Sequence, residues 1–270
     1  MVWGFTPFRA VFWSTVAAVL ISFAMGSEWR LTPKRLGNAL ADGGADVLPV
    51  LATTAVAGII VGVVLLTGIG LKAAGLIVGL AGGSLTGTVL LAAIAVWILG
   101  LAVPVTASYI ISAVMVVPAL TSVGVAPVAA HMFIFYYAVL SEVSPPTALA
   151  PFAAAAITGG RPFRTMMLTW KYALPAFVVP LAFTLDPAGL ALLLQEDWGS
   201  IALATSTAVA GTVALAAAIG GWGFRGRPMA ARIGAGIAGA LLLHPAATAD
   251  LTGAVLLPLA LVIRLARRRV

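Results

Sequence analysis

The chain has 270 residues, of which 62% are hydrophobic and 9% are charged, and its mean hydropathy is +1.13. A soluble domain carries about 25% charged residues, so this composition excludes a soluble fold and predicts an integral membrane protein. The net charge of +7 comes from basic residues clustered between apolar runs, as in membrane proteins, and predicts no nucleic-acid partner. The absence of cysteine excludes disulfides, thiolate metal sites and cysteine nucleophiles.

The apolar runs are continuous and lack the period-2 alternation of a membrane β-barrel. A membrane-spanning helix needs about 20 apolar residues, so the chain has room for about seven to nine hydrophobic segments. Several of these segments look too short to cross. The chain is therefore predicted to be an all-α, multi-pass helix bundle.

The first two segments differ in polarity. Residues 1–26 are predicted to form a retained transmembrane helix, because no good signal-peptide cleavage site follows the apolar run. Residues 27–46 are a polar connector in which Thr32-Pro33 has the pattern of an N-cap and a first helical residue. We expect Gly43-Gly44 to end a short amphipathic helix, which either lies on the cytoplasmic membrane surface or is a solvated linker.

The remaining chain divides into a transport repeat, residues 47–185, and C-terminal transmembrane helices, residues 186–270. Charges between the later apolar segments alternate in sign. If basic clusters are cytoplasmic, the acidic loop lies outside and the C-terminus inside. The basic clusters are Arg161, Arg164 and Lys171, then Arg225, Arg227 and Arg232, then Arg264 and Arg267–Arg269, and the acidic loop holds Asp186, Glu196 and Asp197.

Two interruptions break the apolar sequence, Gly100-Leu-Ala-Val-Pro-Val-Thr-Ala-Ser-Tyr109 and Ser141-Glu-Val-Ser-Pro-Pro-Thr147. Proline lacks an N–H and clashes with the preceding turn, so each motif is expected to kink or unwind a helix. Unwound backbone at membrane depth is tolerated where it is buried in protein or lines a cavity. The segment between the breaks, Ala107–Ala119, is short for a span and predicts a re-entrant hairpin.

In secondary transporters, the carbonyls of broken helices typically bind the coupling ion. A sodium ion prefers several hard oxygen ligands, and hydroxyl groups near the breaks would add to the carbonyls. The alternative is that proline and hydroxyl residues only kink transmembrane helices, but two such motifs favour a site. The candidate hydroxyls are those of Thr106, Ser108, Ser141, Ser144 and Thr147.

Glu142 is the only charged residue between positions 73 and 160. An acid at the bilayer centre costs about 2.5–3.5 kcal/mol on insertion scales. Glu142 is therefore a candidate proton carrier, cation ligand or partner of Lys72 or His131. Alternatively it lies near an interface or in a water-filled cavity, and His131 is a hydrogen-bonded packing residue. No H-E-x-x-H, G-x-S-x-G or P-loop motif occurs, so neither an enzyme nor catalytic residues are predicted.

Both interruptions resemble motifs of TRAP (tripartite ATP-independent periplasmic) transporter permeases. Residues 100–110 are similar to that family's G-M-G-L-P-T-T-A-A-Y-I, and residues 131–150 to its H-x-F-x-F-Y-x-x-x-L-S-x-x-T-P-P-x-A-L-A. The resemblance covers most of residues 1–185 and is to the C-terminal part of the fused permease of the TAXI branch. Val105 and Ser144 stand where the motifs have Thr, and Val105 removes one hydroxyl.

This resemblance implies one repeat of an elevator-type, sodium-driven importer of organic acids, with re-entrant hairpin and broken helices. It implies a periplasmic substrate-binding protein, another permease segment or chain supplying the first repeat, and a bacterial or archaeal inner membrane. Sodium would be the coupling ion, with no other cofactor or metal. A proton-coupled carrier using Glu142 and a truncated, non-transporting membrane protein stay open as alternatives. The ion-binding residues that the resemblance implies are Gly100, Val103, Thr106, Ser141, Ser144 and Pro145.

Overall fold

The computed structural model describes residues 6–24, 26, 30–221, 229–244 and 247–266. These residues form α-helices joined by turns and short 3₁₀ segments, without a strand among them, which confirms the prediction of an all-α membrane helix bundle. The chain divides into two units, Met1–Ala55 and Val56–Val270. Part of the charge pattern used for topology, Arg225, Arg227 and Arg267–Arg269, lies outside the described residues.

Helix α1 spans Pro7–Ala24 and helix α2 spans Pro33–Thr67. The predicted cap is confirmed, because the Thr32 hydroxyl accepts a hydrogen bond from the Arg35 N–H at 3.4 Å. The helix end predicted at Gly43-Gly44 is wrong, since α2 continues through both glycines. One glycine costs a helix only about 1 kcal/mol, and cooperative extension into the following apolar run offsets that cost. That residues 1–26 cross the membrane stays a prediction.

The later helices all belong to the second unit. A 3₁₀ segment precedes and another follows the short helix α9. The helices are α3 (Ile69–Leu80), α4 (Leu85–Gly100), α5 (Val105–Ser122), α6 (Pro127–Ser141), α7 (Leu149–Thr158), α8 (Pro162–Ala173), α9 (Val179–Ala182), α10 (Trp198–Gly220), α11 (Met229–Leu243) and α12 (Ala247–Ala266), with 3₁₀ segments Leu174–Phe177 and Pro187–Leu193.

Within the described residues, α2, α5 and α10 are long and apolar enough to cross a membrane. Residues 162–193 add a fourth candidate if their bent pair of helical segments counts as one span. Helix α5 corrects the expectation of a short segment over 107–119, because it has 18 residues. In its last turn, the Thr121 and Ser122 hydroxyls bond back to helix carbonyls at 3.0 and 2.8 Å. By length and composition α5 is a candidate membrane-spanning helix, and its place in a re-entrant hairpin stays a prediction.

Residues 162–182 form one helical stretch made of α8, a 3₁₀ turn and α9. Helix α8 gives way to a 3₁₀ turn near Pro175, and the chain bends by 120° between the stretch Pro162–Ala182 and the segment Pro187–Leu193. Proline interrupts the helical hydrogen-bond ladder, and Gly189 permits the close return. A Cβ at Gly189 would lie 2.6 Å from the Phe183 Cα, so no larger side chain fits there.

Helices α4, α5 and α6 pack around a common core. Val89, Val96, Leu120, Phe133 and Ile134 are all fully buried in it. Lipid tails are as apolar as these side chains, so van der Waals packing rather than water exclusion holds such helices together. This packed trio supports both chain breaks, since α4 and α5 flank the first and α6 leads into the second.

Two carboxylates of the acidic loop cap the N-termini of the helical segments that follow them, Pro187–Leu193 and α10. The Asp186 carboxylate accepts from the Ala188 N–H at 2.8 Å, and the Asp197 carboxylate accepts from Gly199 and Ser200. The hydroxyl and N–H of Ser200, with the N–H of Gly199, lower the pKa of Asp197 below its usual value. These carboxylates are therefore N-caps, a role that satisfies helix N–H groups.

Candidate functional site

The first break begins where α4 ends at Gly100. The Leu101 and Ala102 N–H groups close the last turn by bonding to carbonyls of residues 97–99, at 3.1–3.2 Å. Pro104 stands four residues after Gly100 and has no N–H, so it cannot donate the next helical bond to the Gly100 carbonyl. The helix therefore opens at Gly100, and α5 starts afresh at Val105.

The second break repeats this arrangement. Helix α6 ends at Ser141, and Pro145 again stands four residues after the last helical residue. The Ser144 N–H bonds to the Ser141 carbonyl at 3.0 Å, and the Ala148 N–H bonds to the Ser144 carbonyl at 3.1 Å. The next proline leaves the Glu142 carbonyl without its helical donor. Both predicted interruptions are therefore true helix breaks.

The structure brings the two breaks into contact. A Cβ built on Gly100 would overlap the Ser141 Oγ, would lie 2.7 Å from the Ser141 Cβ, and would lie 3.2 Å from the Ser108 Oγ. Only a residue without a side chain permits this approach. The C-terminal ends of α4 and α6 therefore meet at one point, with two serine hydroxyls beside it.

This junction is electrically suited to a cation. Each helix C-terminus carries roughly half a negative elementary charge from its unsatisfied carbonyls. A cavity of about 170 Å³ adjoins the junction, lined by residues 100–104 of the first break and by Glu142, Thr147 and Leu149 of the second. Carbonyl and hydroxyl oxygens on two helix ends, beside this half-open cavity, are the kind of atoms that a hard cation prefers as ligands.

The five candidate hydroxyls fall into two groups. Ser108, Ser141 and Ser144 are buried, whereas Thr106 and Thr147 are exposed. The Ser141 and Ser144 hydroxyls donate to the Ala138 and Leu140 carbonyls, at 2.6 and 2.7 Å. A hydroxyl that gives its proton to a carbonyl keeps its lone pairs for a cation. Of these five hydroxyls, Ser108 and Ser141 lie against Gly100.

Glu142 caps the end of α6 and lines the cavity while only partly buried. Among the described residues no ion pair joins it to Lys72 or His131. His131 instead shares a hydrogen bond of 3.0 Å with the Tyr109 hydroxyl, which confirms the hydrogen-bonding part of that interpretation, but the residue is exposed rather than packed in the core. The cavity-facing alternative for Glu142 fits its position better than the ion-pair alternative.

The structure brings some of the predicted site residues together and leaves others apart. Gly100 and Val103 line the cavity, Ser141 contacts Gly100, and Ser144 is buried in the second break. Thr106 is exposed on the first turn of α5. Their role in ion binding stays a prediction. Within the described residues no group of three His, Cys, Asp or Glu side chains forms a metal site.

Ser112 is a buried hydroxyl residue that was not among the predicted site residues. It lies four residues after Ser108 on α5, is equally buried, and its hydroxyl also has no hydrogen-bond partner within the described residues. Residues four apart share one face of a helix, so the Ser108–Ser112 spacing was the available signal. Whether that face is buried depends on the packing of α4 and α6.

Apolar helices, two of them interrupted at a shared polar junction, are typical of a multi-pass membrane protein. The family model described as "Tripartite ATP-independent periplasmic transporter, DctM component" matches residues 1–188. The chain belongs to this transporter family. A search of curated proteins and a search of solved structures each find no match.

Proposed function

We propose that the chain is a membrane permease part of a sodium-coupled secondary importer of organic acids. The observation that carries this proposal is the contact between the ends of α4 and α6 at Gly100 and Ser141. Sodium would bind there through backbone carbonyls and hydroxyl oxygens, without a full negative charge in the apolar interior. Membership of the DctM family supports the assignment to transport.

The other ends of the broken helices favour an anionic substrate. Helices α5 and α7 start at Val105 and Leu149, and the first N–H groups of a helix lack partners within it. Such N-termini attract anions, and in transporters they point at substrate carboxylates. Val103, Pro104 and Leu149 line the same cavity. A cation at the α4 and α6 ends would then sit close to a carboxylate, which gives a physical basis for coupled uptake.

The proposed partners are inferred from membership of the transporter family, and no feature of the cavity is used for them. We infer that a periplasmic substrate-binding protein delivers the organic acid, and that another permease segment or chain supplies the first repeat of an elevator-type carrier. The TAXI branch is the assignment that the motifs favour. The proposed location is a bacterial or archaeal inner membrane, with the C-terminus in the cytoplasm.

Thermal unfolding of the purified chain in detergent tests this proposal, with NaCl compared against choline chloride at equal ionic strength. A ligand that binds only the folded state stabilises it by about 2.7 kcal/mol at 100 times its dissociation constant. We expect sodium to raise the midpoint, and Ser141→Ala to reduce that rise. Equal midpoints in the two salts for the unmodified chain would refute sodium binding.

Glu142 supports one alternative, a proton-coupled carrier, because its carboxylate is the acidic group lining the cavity. In that case Glu142→Gln would abolish uptake in vesicles while uptake stays independent of sodium. In the sodium-coupled proposal, uptake depends on a sodium gradient and survives in Glu142→Gln. Transport measured with opposed sodium and proton gradients separates the two.

A further inference from the structure

Ser108 is a buried polar group without a hydrogen-bond partner. Its side chain is 0% exposed, and its Oγ makes no hydrogen bond among the described residues. Buried hydroxyls are normally satisfied by protein or ordered water, so an orphaned one in a native structure requires an explanation. Thr88 and Ser112 have equally buried, equally unpartnered hydroxyls, and they supply an internal comparison.

Position separates Ser108 from the other two. Its Oγ lies 3.2 Å from the point that a Cβ on Gly100 would occupy, and the Ser141 Oγ lies against the same point. The Thr88 and Ser112 hydroxyls are not among the three heavy atoms nearest to that point. Two hydroxyl oxygens therefore approach the ends of α4 and α6 from different helices, Ser108 from α5 and Ser141 from α6.

The hydrogen-bond roles at this point also suit a cation. The Ser141 hydroxyl donates its proton to the Ala138 carbonyl at 2.6 Å, so its lone pairs face outward. The Ser108 hydroxyl is not engaged at all, so both of its lone pairs are available. Oxygen atoms that accept rather than donate are what a hard cation requires.

We propose that the Ser108 hydroxyl is a direct ligand of the coupling cation, which it holds together with Ser141 and the carbonyl ends of α4 and α6. This inference rests on the proposed sodium-coupled function. It assigns the side-chain ligand of the first break to the buried Ser108 rather than to the exposed Thr106. The motif quoted above has Thr at position 105 and Ala at position 108, so Ser108 restores the hydroxyl that Val105 removes.

The test compares Ser108→Ala with Ser112→Ala in the full chain purified in detergent. Equilibrium binding of radioactive sodium is measured, and unfolding midpoints in choline chloride report whether each variant folds. Losing one ligand to a charged group is expected to raise the sodium dissociation constant about tenfold in Ser108→Ala. Ser112→Ala removes the same group one turn away and should leave that constant within about twofold. Neither midpoint in choline should fall, because each change removes an unsatisfied hydroxyl.

Ser108→Cys provides a second variant of nearly the same size, whose soft sulfur is a poor ligand for a hard cation. We expect the same loss of sodium affinity as in Ser108→Ala. Unchanged binding in either folded variant overturns the role of Ser108 while leaving sodium coupling intact. An equal loss in Ser112→Ala also overturns it, because the effect would then belong to buried hydroxyls in general. If the unmodified chain binds no sodium, the proposed function fails and this inference fails with it.

Discussion

Two regions of this protein differ in whether a basic side chain binds the carbonyls at a helix C-terminus. At the end of α10, the Arg232 guanidinium donates to the Ala218 carbonyl at 2.8 and 3.1 Å and to the Ile219 carbonyl at 3.4 Å. At the ends of α4 and α6, no described basic side chain makes such a bond. The negative end of α10 therefore has a permanent cation, whereas the ends at Gly100 and Ser141 meet without one.

Glycine contacts show the same difference. Gly211 of α10 and Gly239 of α11 press backbone against backbone, since a Cβ on either would lie 2.7 Å from the other's carbonyl oxygen. Gly100 is just as crowded, but its neighbours are the hydroxyls of Ser108 and Ser141. In the C-terminal helices the close approach at glycine brings backbone into contact with backbone. At the breaks it instead brings hydroxyl oxygens close to a helix end. An unneutralised helix end surrounded by oxygens suits an exchangeable cation.

The largest expected effect comes from Gly100→Ala. The new methyl group would overlap Ser141, so α4 and α6 must separate and the ligand oxygens must spread. Overpacking costs about 1–3 kcal/mol, and we expect the sodium dissociation constant to rise about a hundredfold. Sodium-dependent unfolding midpoints measure this change. Gly236→Ala is the control, because its nearest neighbour would be the Ala218 Cβ at an ordinary 3.7 Å. A variant with normal sodium affinity would show that the junction does not form the site.

Gly239→Ala tests the other half of the comparison. Its methyl group would lie 2.7 Å from the Gly211 carbonyl oxygen and 2.9 Å from the Leu215 nitrogen, and backbone cannot move aside easily. The free energy of unfolding should fall by about 2 kcal/mol, measured by denaturant titration in mixed micelles. The sodium dissociation constant should stay unchanged. A weakened sodium response would mean that the C-terminal helices take part in ion binding.

Arg232→Ala removes the permanent cation from the end of α10. Charge-assisted hydrogen bonds contribute about 1.5 kcal/mol, so a destabilisation of that order is expected in the same titration. Arg232→Lys retains a charge near the helix end and should recover part of the loss. If Arg232→Ala is as stable as the unmodified protein, the α10 end does not depend on this cation.

Thr106→Val should have the smallest effect. The Thr106 hydroxyl is exposed rather than directed at Gly100, so the sodium dissociation constant is expected to change by less than about twofold, or about 0.4 kcal/mol. Radioactive sodium binding measures it beside Ser141→Ala, for which about a tenfold rise is expected. A loss in Thr106→Val equal to that in Ser141→Ala would extend the site onto the exposed side of α5.

Local chemistry made part of the fold predictable. Proline four residues after Gly100 and Ser141 removes a helical donor wherever it occurs, so both breaks were visible before their packing was known. Thr32 was likewise predictable as a cap, because its hydroxyl reaches an N–H three residues away. Such effects involve neighbours in the chain and need no tertiary contact.

The wrong predictions concern positions where local preference is weak. Gly43-Gly44 has a low helix propensity, but that penalty was smaller than the gain from a continuous helix α2. The end of α5 was placed too early because Thr121 and Ser122 suit both turns and helices. No prediction covered the bend after α9, because it depends on how closely Gly189 packs on Phe183, a contact that the order of residues does not reveal.

Composition and proline spacing by themselves determined that this chain is a helical membrane protein with two opened helices, because lipid requires satisfied backbone and proline removes its donors. Tertiary structure alone decided that Gly100 meets Ser141, that Ser108 is buried beside them, and that Thr106 is not. Those facts depend on how α4, α5 and α6 pack around Phe133 and its neighbours. Several hydroxyl residues were chemically equivalent candidates, and only their packing separates the buried oxygens at the junction from the exposed ones.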